Sequence, residues 1–380
     1  MRASVIIACG TVLLALGLVT SNHLKLSAPA ASPESSEPVP ALNPPKPRLP
    51  APRLPVVPPP AESAVEGVPT TNLIARWMNG DLPRLSAEQL EPYLQKYHRS
   101  AESLWGAFAA TGDRAFLREA LEKNPNDPRL NLTAYFQGDA WVAEHSAEGH
   151  DRNQPASAER RQLLDAFAKA APDNALPNYL AALDYFKSGQ SDQAVEQLVA
   201  ASQKSNFQDY SLDYIQNAEE AYRAAGWSEA QAKAVASAQL PLPHLAELRD
   251  TGSKLVELAT LYRQAGDEAS AQAAEQIGLG LGQRLTESEQ LTIIQELVGI
   301  AIERKVLGTM DPNNVLAGTG ETVQSRLDAF KERQKAIKVL AGASDILPTL
   351  SEPDLASYFD RLKLFGETAA ADWLLKTHGK

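Results

Sequence analysis

Beyond about residue 70, apolar residues recur at three- and four-residue intervals, and runs of alternating Val, Ile and Thr are missing. That period belongs to helices packed on helices. Three stretches end on one pattern, Tyr185-x-x-x-Gly189, Tyr222-x-x-x-Gly226 and Tyr262-x-x-x-Gly266, with the tyrosines 37 and 40 residues apart. Each glycine is placed to supply a left-handed cap that ends one helix and lets the next begin. Small residues follow on the second helix (Ala194 and Ala201, Ala232 and Ala238, Ala271 and Ala274), so the partners can approach closely. Ser86-x-x-Gln89, Ser228-x-x-Gln231 and Thr286-x-x-Glu289 have the form of capping boxes and predict helix starts. Val323, Leu327, Phe330 and Ile337 form one stripe of an amphipathic helix over residues 321–341. A last, continuous helix is predicted over 351–376, with Leu355, Phe359, Leu362, Phe365, Trp373 and Leu374. A loop is expected at 308–320. Gly106 falls inside a predicted helix, where alanine should be better by about 0.5–1 kcal/mol.

The first 69 residues change the picture. An uncharged stretch from Ala3 to Ser21 follows Arg2, long enough as a helix to cross the ~30 Å hydrocarbon core of a bilayer. Residues 1–27 are therefore expected to be a transmembrane anchor that holds the rest outside the cytoplasm, or alternatively a cleaved signal peptide. Residues 28–69 are crowded with proline, as in PPKPRLPAPRLPVVPPP, and predict a polyproline spacer without helix or sheet. The repeated Arg-Leu-Pro around Arg48 and Arg53 has the look of a PxxP ligand. The formal net charge is −11; five basic and four acidic residues precede residue 70, so the remainder carries −12. Such a body repels phosphate backbones, and nucleic acid is not expected as a partner. Cys9, in the leader, is the single cysteine, so the remainder has neither disulfide nor thiolate.

LPNYLAALDYFKSGQSDQAVEQLVAAS resembles a tetratricopeptide repeat, with Ala182, Tyr185, Gly189, Ala194 and Ala201 at the family's small, tyrosine, turn-glycine and alanine positions. KLVELATLYRQAGDEASAQAAEQ is similar through Leu258, Ala259, Tyr262, Gly266 and Ala271, and IQNAEEAYRAAGWSEAQAKAVASA more loosely. Pro125 and Pro172 resemble the prolines that end such repeats, while the signature tryptophan is missing. The resemblance implies an all-α fold: a right-handed superhelical stack of helix pairs over residues 70–285, with a helical C-terminal cap over 286–380. It also implies a concave face lined by the first helix of each pair. That face would carry Tyr179, Leu183, Phe186 and Lys187, then Gln216, Glu220 and Arg223, then Val256, Thr260 and Arg263. Arg223 and Arg263 share one repeat position and could fork onto a peptide carboxylate, although the asparagines of the family's carboxylate-clamp members are missing.

Chemistry is sparse. His145 and His150 stand near Glu144, Glu148 and Asp151 but match neither HEXXH nor HXXEH, so a polar loop is the simpler reading. GLGLG at 278–282 lacks a preceding strand and a P-loop lysine, and reads as close helix contact or a helix end. No catalytic set and no cofactor is expected. The function expected is that of a non-enzymatic scaffold that binds a protein or peptide. A structural envelope component and, far behind, a metal enzyme using His145 and His150 are the alternatives.

Overall fold

The computed structural model describes residues 74, 76, 82–143, 158–287 and 292–379, with backbone alone at 138–143. The leader (1–27), the proline-rich stretch (28–69) with its PxxP-like repeats, the chain from there to residue 81 apart from Ile74 and Arg76, and the loop with His145 and His150 lie outside the described residues. Where described, the chain is all-α: α1 (Ala87–Lys96), α2 (Ala101–Thr111), α3 (Arg114–Lys123), α4 (Pro128–Ala143), α5 (Ala158–Ala170), α6 (Leu176–Lys187), α7 (Ser191–Gln203), α8 (Ser211–Ala224), α9 (Glu229–Ala238), α10 (Pro243–Gln264), α11 (Glu268–Thr286), α12 (Ile293–Leu307), α13 (Val323–Leu340), α14 (Glu352–Phe365) and α15 (Glu367–His378). None of these helices is long and apolar enough to cross a membrane.

The three Tyr-x-x-x-Gly turns are alike in detail. Gly189, Gly226 and Gly266 have φ of 72°, 92° and 80°. In each, the glycine N–H donates to the carbonyl three residues back, and the next N–H donates to the tyrosine carbonyl: Gln190 to Tyr185 (2.9 Å), Trp227 to Tyr222 (3.2 Å), Asp267 to Tyr262 (2.9 Å). This paired closure satisfies carbonyls that a helix end otherwise leaves open. The capping boxes at Ser86 and Ser228 form as expected. Thr286 does not cap a helix; it is the last residue of α11, and α12 starts from Thr292, whose side chain accepts from Gln295 N. The expected last helix is two, because Gly366 (φ 84°) breaks it between α14 and α15. The 308–320 loop is tied across its neck, by Val323 N donating to Asn314 O and Leu316 N to Glu321 O.

Helix pairing follows the chain; hairpin stacking does not. α6 pairs with α7, α8 with α9 and α10 with α11, as the repeat predicts. A sequential superhelix would then seat α8/α9 between the other two hairpins. Instead α6 packs directly on α10 and α7 on α11, while α8 packs on α2. One core gathers Leu104, Trp105, Phe108, Phe116, Tyr214 and Tyr222 from α2, α3 and α8, and another gathers Phe167, Leu176, Tyr179, Leu198, Leu255 and Leu281 from α5, α6, α7, α10 and α11. Gly106 explains part of the rearrangement. A Cβ there would stand 2.5 Å from Asn217 O, so only glycine lets α8 lie this close to α2. The expected gain from alanine at this site is thus reversed. The Tyr222 hydroxyl adds a bond to Pro83 O (2.7 Å), holding the chain before α1 to the same hairpin.

The C-terminal helices bridge the ends. α14 packs on α9, where Lys233 meets Asp360 (2.8 Å), and its Lys363 reaches Glu219 of α8 (2.6 Å). α15 reaches α13. Ile74, 1% exposed, is buried among Ala230, Leu347, Phe359, Ala370 and Leu374.

Candidate interaction surface

The ten residues expected on a concave face do not share one. Tyr179 and Leu183 are core residues, 1% and 2% exposed, because α10 covers α6; the Thr251 hydroxyl reaches Tyr179 O at 3.4 Å. They cannot line an open groove. Phe186 is half-buried against the same core and Lys187 is half-buried beside it. Gln216, Glu220 and Arg223 are exposed on α8, in the other stack of hairpins. On α10, Val256 is half-buried and Thr260 is exposed. Arg263 is engaged: its guanidinium bonds Glu268 and, at 2.9 Å, Glu275, a buried carboxylate that also accepts from Thr309 Oγ1 (2.9 Å). Arg223 and Arg263 thus do not form a pair.

Sequence reasoning missed a buried polar cluster where α4 and α5 meet α10. Arg160 lies over the Tyr135 ring (4.2 Å), donates from Nε to Tyr135 O (3.0 Å) and approaches Glu247 (3.4 Å). The Tyr135 hydroxyl donates to Glu247 Oε2 (3.2 Å). Burial pushes the Glu247 carboxyl up, against the pull of Arg160 and Lys187. Each member answers another's polar group, so the cluster holds the α4/α5 hairpin to α10. Among the described residues, no group of three or more His, Cys, Asp or Glu side chains converges as metal ligands would.

Among the described residues, two clefts that are open to solvent stand out. One, of ≈ 790 Å³, lies between the α1–α2 and α3–α4 turns and is polar. Its cations are already engaged: Arg99 by Glu91 and Glu119, Lys123 by Glu119, and Arg129 by Asp127 and Glu102.

The other, of ≈ 620 Å³, runs between α13 and α15 and is lined by Arg333, Ala336, Val339, Leu340, Phe365, Thr368, Ala369 and Asp372. Its origin is local. Val323, Phe330 and Ile337 of α13 are buried in their own cluster, which turns Ala336 and Val339 along a different face, while half-buried Leu340 packs at the edge of that cluster and lines the cleft. Gly366 ends α14 just after Phe365 and leaves that ring outside the core. Ala336 and Ala369, on facing helices, are too small to close the gap. Beneath it, buried Glu296 accepts from Arg333 Nη2 (2.9 Å) and Thr368 Oγ1 (3.3 Å), so the floor is rigid and its cation neutralised. Val339 is 68% exposed and Phe365 60%, with Leu364 also outside. Large apolar side chains gathered around a cleft mark an interaction site more than scattered ones do. The signal in sequence is Phe365-Gly366, a glycine inside the helix predicted as continuous over 351–376.

Comparison with protein-family models, curated proteins and solved structures finds no match to this chain.

Proposed function

We propose that the chain is a non-enzymatic interaction scaffold, held outside the cytoplasm by an N-terminal membrane anchor, that binds a segment of a partner protein in the cleft between α13 and α15. The observation that carries this reading is the exposure of Val339 and Phe365 on either side of a preformed, apolar, rigid-floored cleft. Burying one such side chain against a partner is worth roughly 1.5–3 kcal/mol before the costs of association. The partner segment is accordingly one with an apolar anchor side chain. The tetratricopeptide-like character of the helix pairs is supported by the three identical glycine turns and the alanine contacts that follow them. The binding face is placed on the α13/α15 cleft and not on the expected α6–α8–α10 surface, because α10 covers α6 and α8 stands in the other stack of hairpins.

The test is differential capture of partners by the full chain, Phe365→Asp and Arg223→Glu. Loss with Phe365→Asp alone supports the cleft. Loss with Arg223→Glu alone returns the reading to the α8 face and refutes the cleft. A second reading, a structural envelope component, is favoured by the way α14 and α15 bridge α9 and α13. It predicts a stable assembly unaffected by either substitution.

A further inference from the structure

We infer that the resting occupant of the α13/α15 cleft is the chain's own proline-rich segment, residues 44–60, which a partner must displace. This rests on the cleft being a docking site, and three observations carry it further.

The first is where the chain enters. Ile74 is buried against Ala370 and Leu374 of α15, and Leu340, which lines the cleft, packs on the same cluster. The tether therefore joins the body on the inner side of the helix whose outer side forms the cleft. Residues 60–74 can span roughly 45–50 Å when extended, ample to pass around a helix about 10–12 Å across.

The second is charge. Residues 44–60 contain Lys46, Arg48 and Arg53 and no acid, against a body of −12. At the cleft, Arg333 is neutralised by buried Glu296, while Asp372 on the rim pairs, among the described residues, with Lys376, the two side chains being 49% and 74% exposed. Exposed pairs of this kind are weak, so Asp372 is available to an incoming arginine.

The third is shape. Proline-rich chains bind grooves walled by an aromatic ring with carboxylates at the edge, because their backbone is already extended and little entropy is lost. Phe365 is such a wall, and Ala336 and Ala369 leave the floor open for proline rings. Tethering supplies an effective concentration on the order of millimolar, so an intrinsically weak contact suffices.

Trypsin reads the state of the full chain in its membrane or in detergent. It cuts after Arg48 and Arg53, whereas Lys46 is shielded by Pro47. With the segment docked, cleavage at these two bonds is slow and Phe365→Asp accelerates it at least about fivefold. Leu261→Asp, at an exposed position on α10, leaves it unchanged. Thermal melts of each variant confirm that the body is intact. Equal rates in the parent and in Phe365→Asp overturn the inference. So does protection that grows with protein concentration, since the occupant is then another copy's segment. Partner capture lost in Phe365→Asp with unchanged trypsin rates leaves the proposed function standing without this inference. Rates that rise while capture persists leave the docked segment standing and remove the cleft as the partner's site.

Discussion

The contact between α11 and α12 offers the sharpest test of the packing, through Gly299→Ala. A Cβ on Gly299 would lie 2.7 Å from Gly282 O, 2.7 Å from Thr286 Cγ2 and 2.9 Å from Leu285 Cβ. Two of these are backbone or Cβ atoms that cannot swing away, so the helices must part by about 0.5–1 Å, forfeiting a quarter to half of the dispersion energy along the seam. Overpacking of this kind costs about 1–3 kcal/mol. Thr286 is also a partner of Glu303, which is 1% exposed and is otherwise held by Arg326 at 3.1 Å. Burial already pushes that carboxyl up in spite of Arg326, so loosening a hydrogen bond there adds roughly 1–2 kcal/mol. Alanine's better helix propensity returns about 1 kcal/mol. The net loss is about 1–4 kcal/mol, a fall in Tm of about 2–6 °C for a body of this size. Gly280→Ala, on the facing helix α11 with nothing within 4 Å of its Cβ, is the control and should melt about 1–3 °C higher. Scanning calorimetry on both variants decides the matter. A Gly299→Ala protein that melts at or above the parent refutes the close crossing.

Gly266→Val should cost about 1–2 kcal/mol through backbone strain alone, since φ is 80° and space is open, and Gly106→Ala should also lower Tm because of Asn217 O; urea melts of the two check both signs. His98→Gly should stabilise by up to about 1 kcal/mol in the same assay, because His98 (φ 54°) occupies the left-handed residue after α1 that glycine fills most easily. The Glu119 carboxyl is held down to about 2, chiefly by its hydrogen bond from Arg99 and also by Lys123, against the opposing effect of burial. Its folded value lies below the unfolded one of about 4.3, so its stabilisation is present above that pH and fades as pH falls toward 2. Glu119→Gln should therefore cost about 1–2 kcal/mol at pH 7, partial exposure considered, and nothing near pH 2, as read from denaturant midpoints at both values.

What the sequence determined by itself was local. Helical period, the Tyr-x-x-x-Gly turns, the serine caps and the pairing of adjacent helices depend on interactions within a few residues, and each could be read directly. The stripe of Val323, Leu327, Phe330 and Ile337 was legible for the same reason. Of the glycines in residues 278–282, read as close helix contact or a helix end, Gly278 and Gly282 lie at a helix contact while Gly280 faces open space. Tertiary structure decided the order of stacking. Repeat hairpins have similar apolar faces, so periodicity cannot say which face meets which. The choice falls to single close approaches, such as Gly106 under Asn217 or Gly282 under Gly299, between residues far apart in the chain. That choice took Tyr179 and Leu183 into the core and separated Arg223 from Arg263. It also left Phe365 outside, at a break made by one glycine, so the candidate surface arose where a local pattern failed and a distant helix defined the opposite wall.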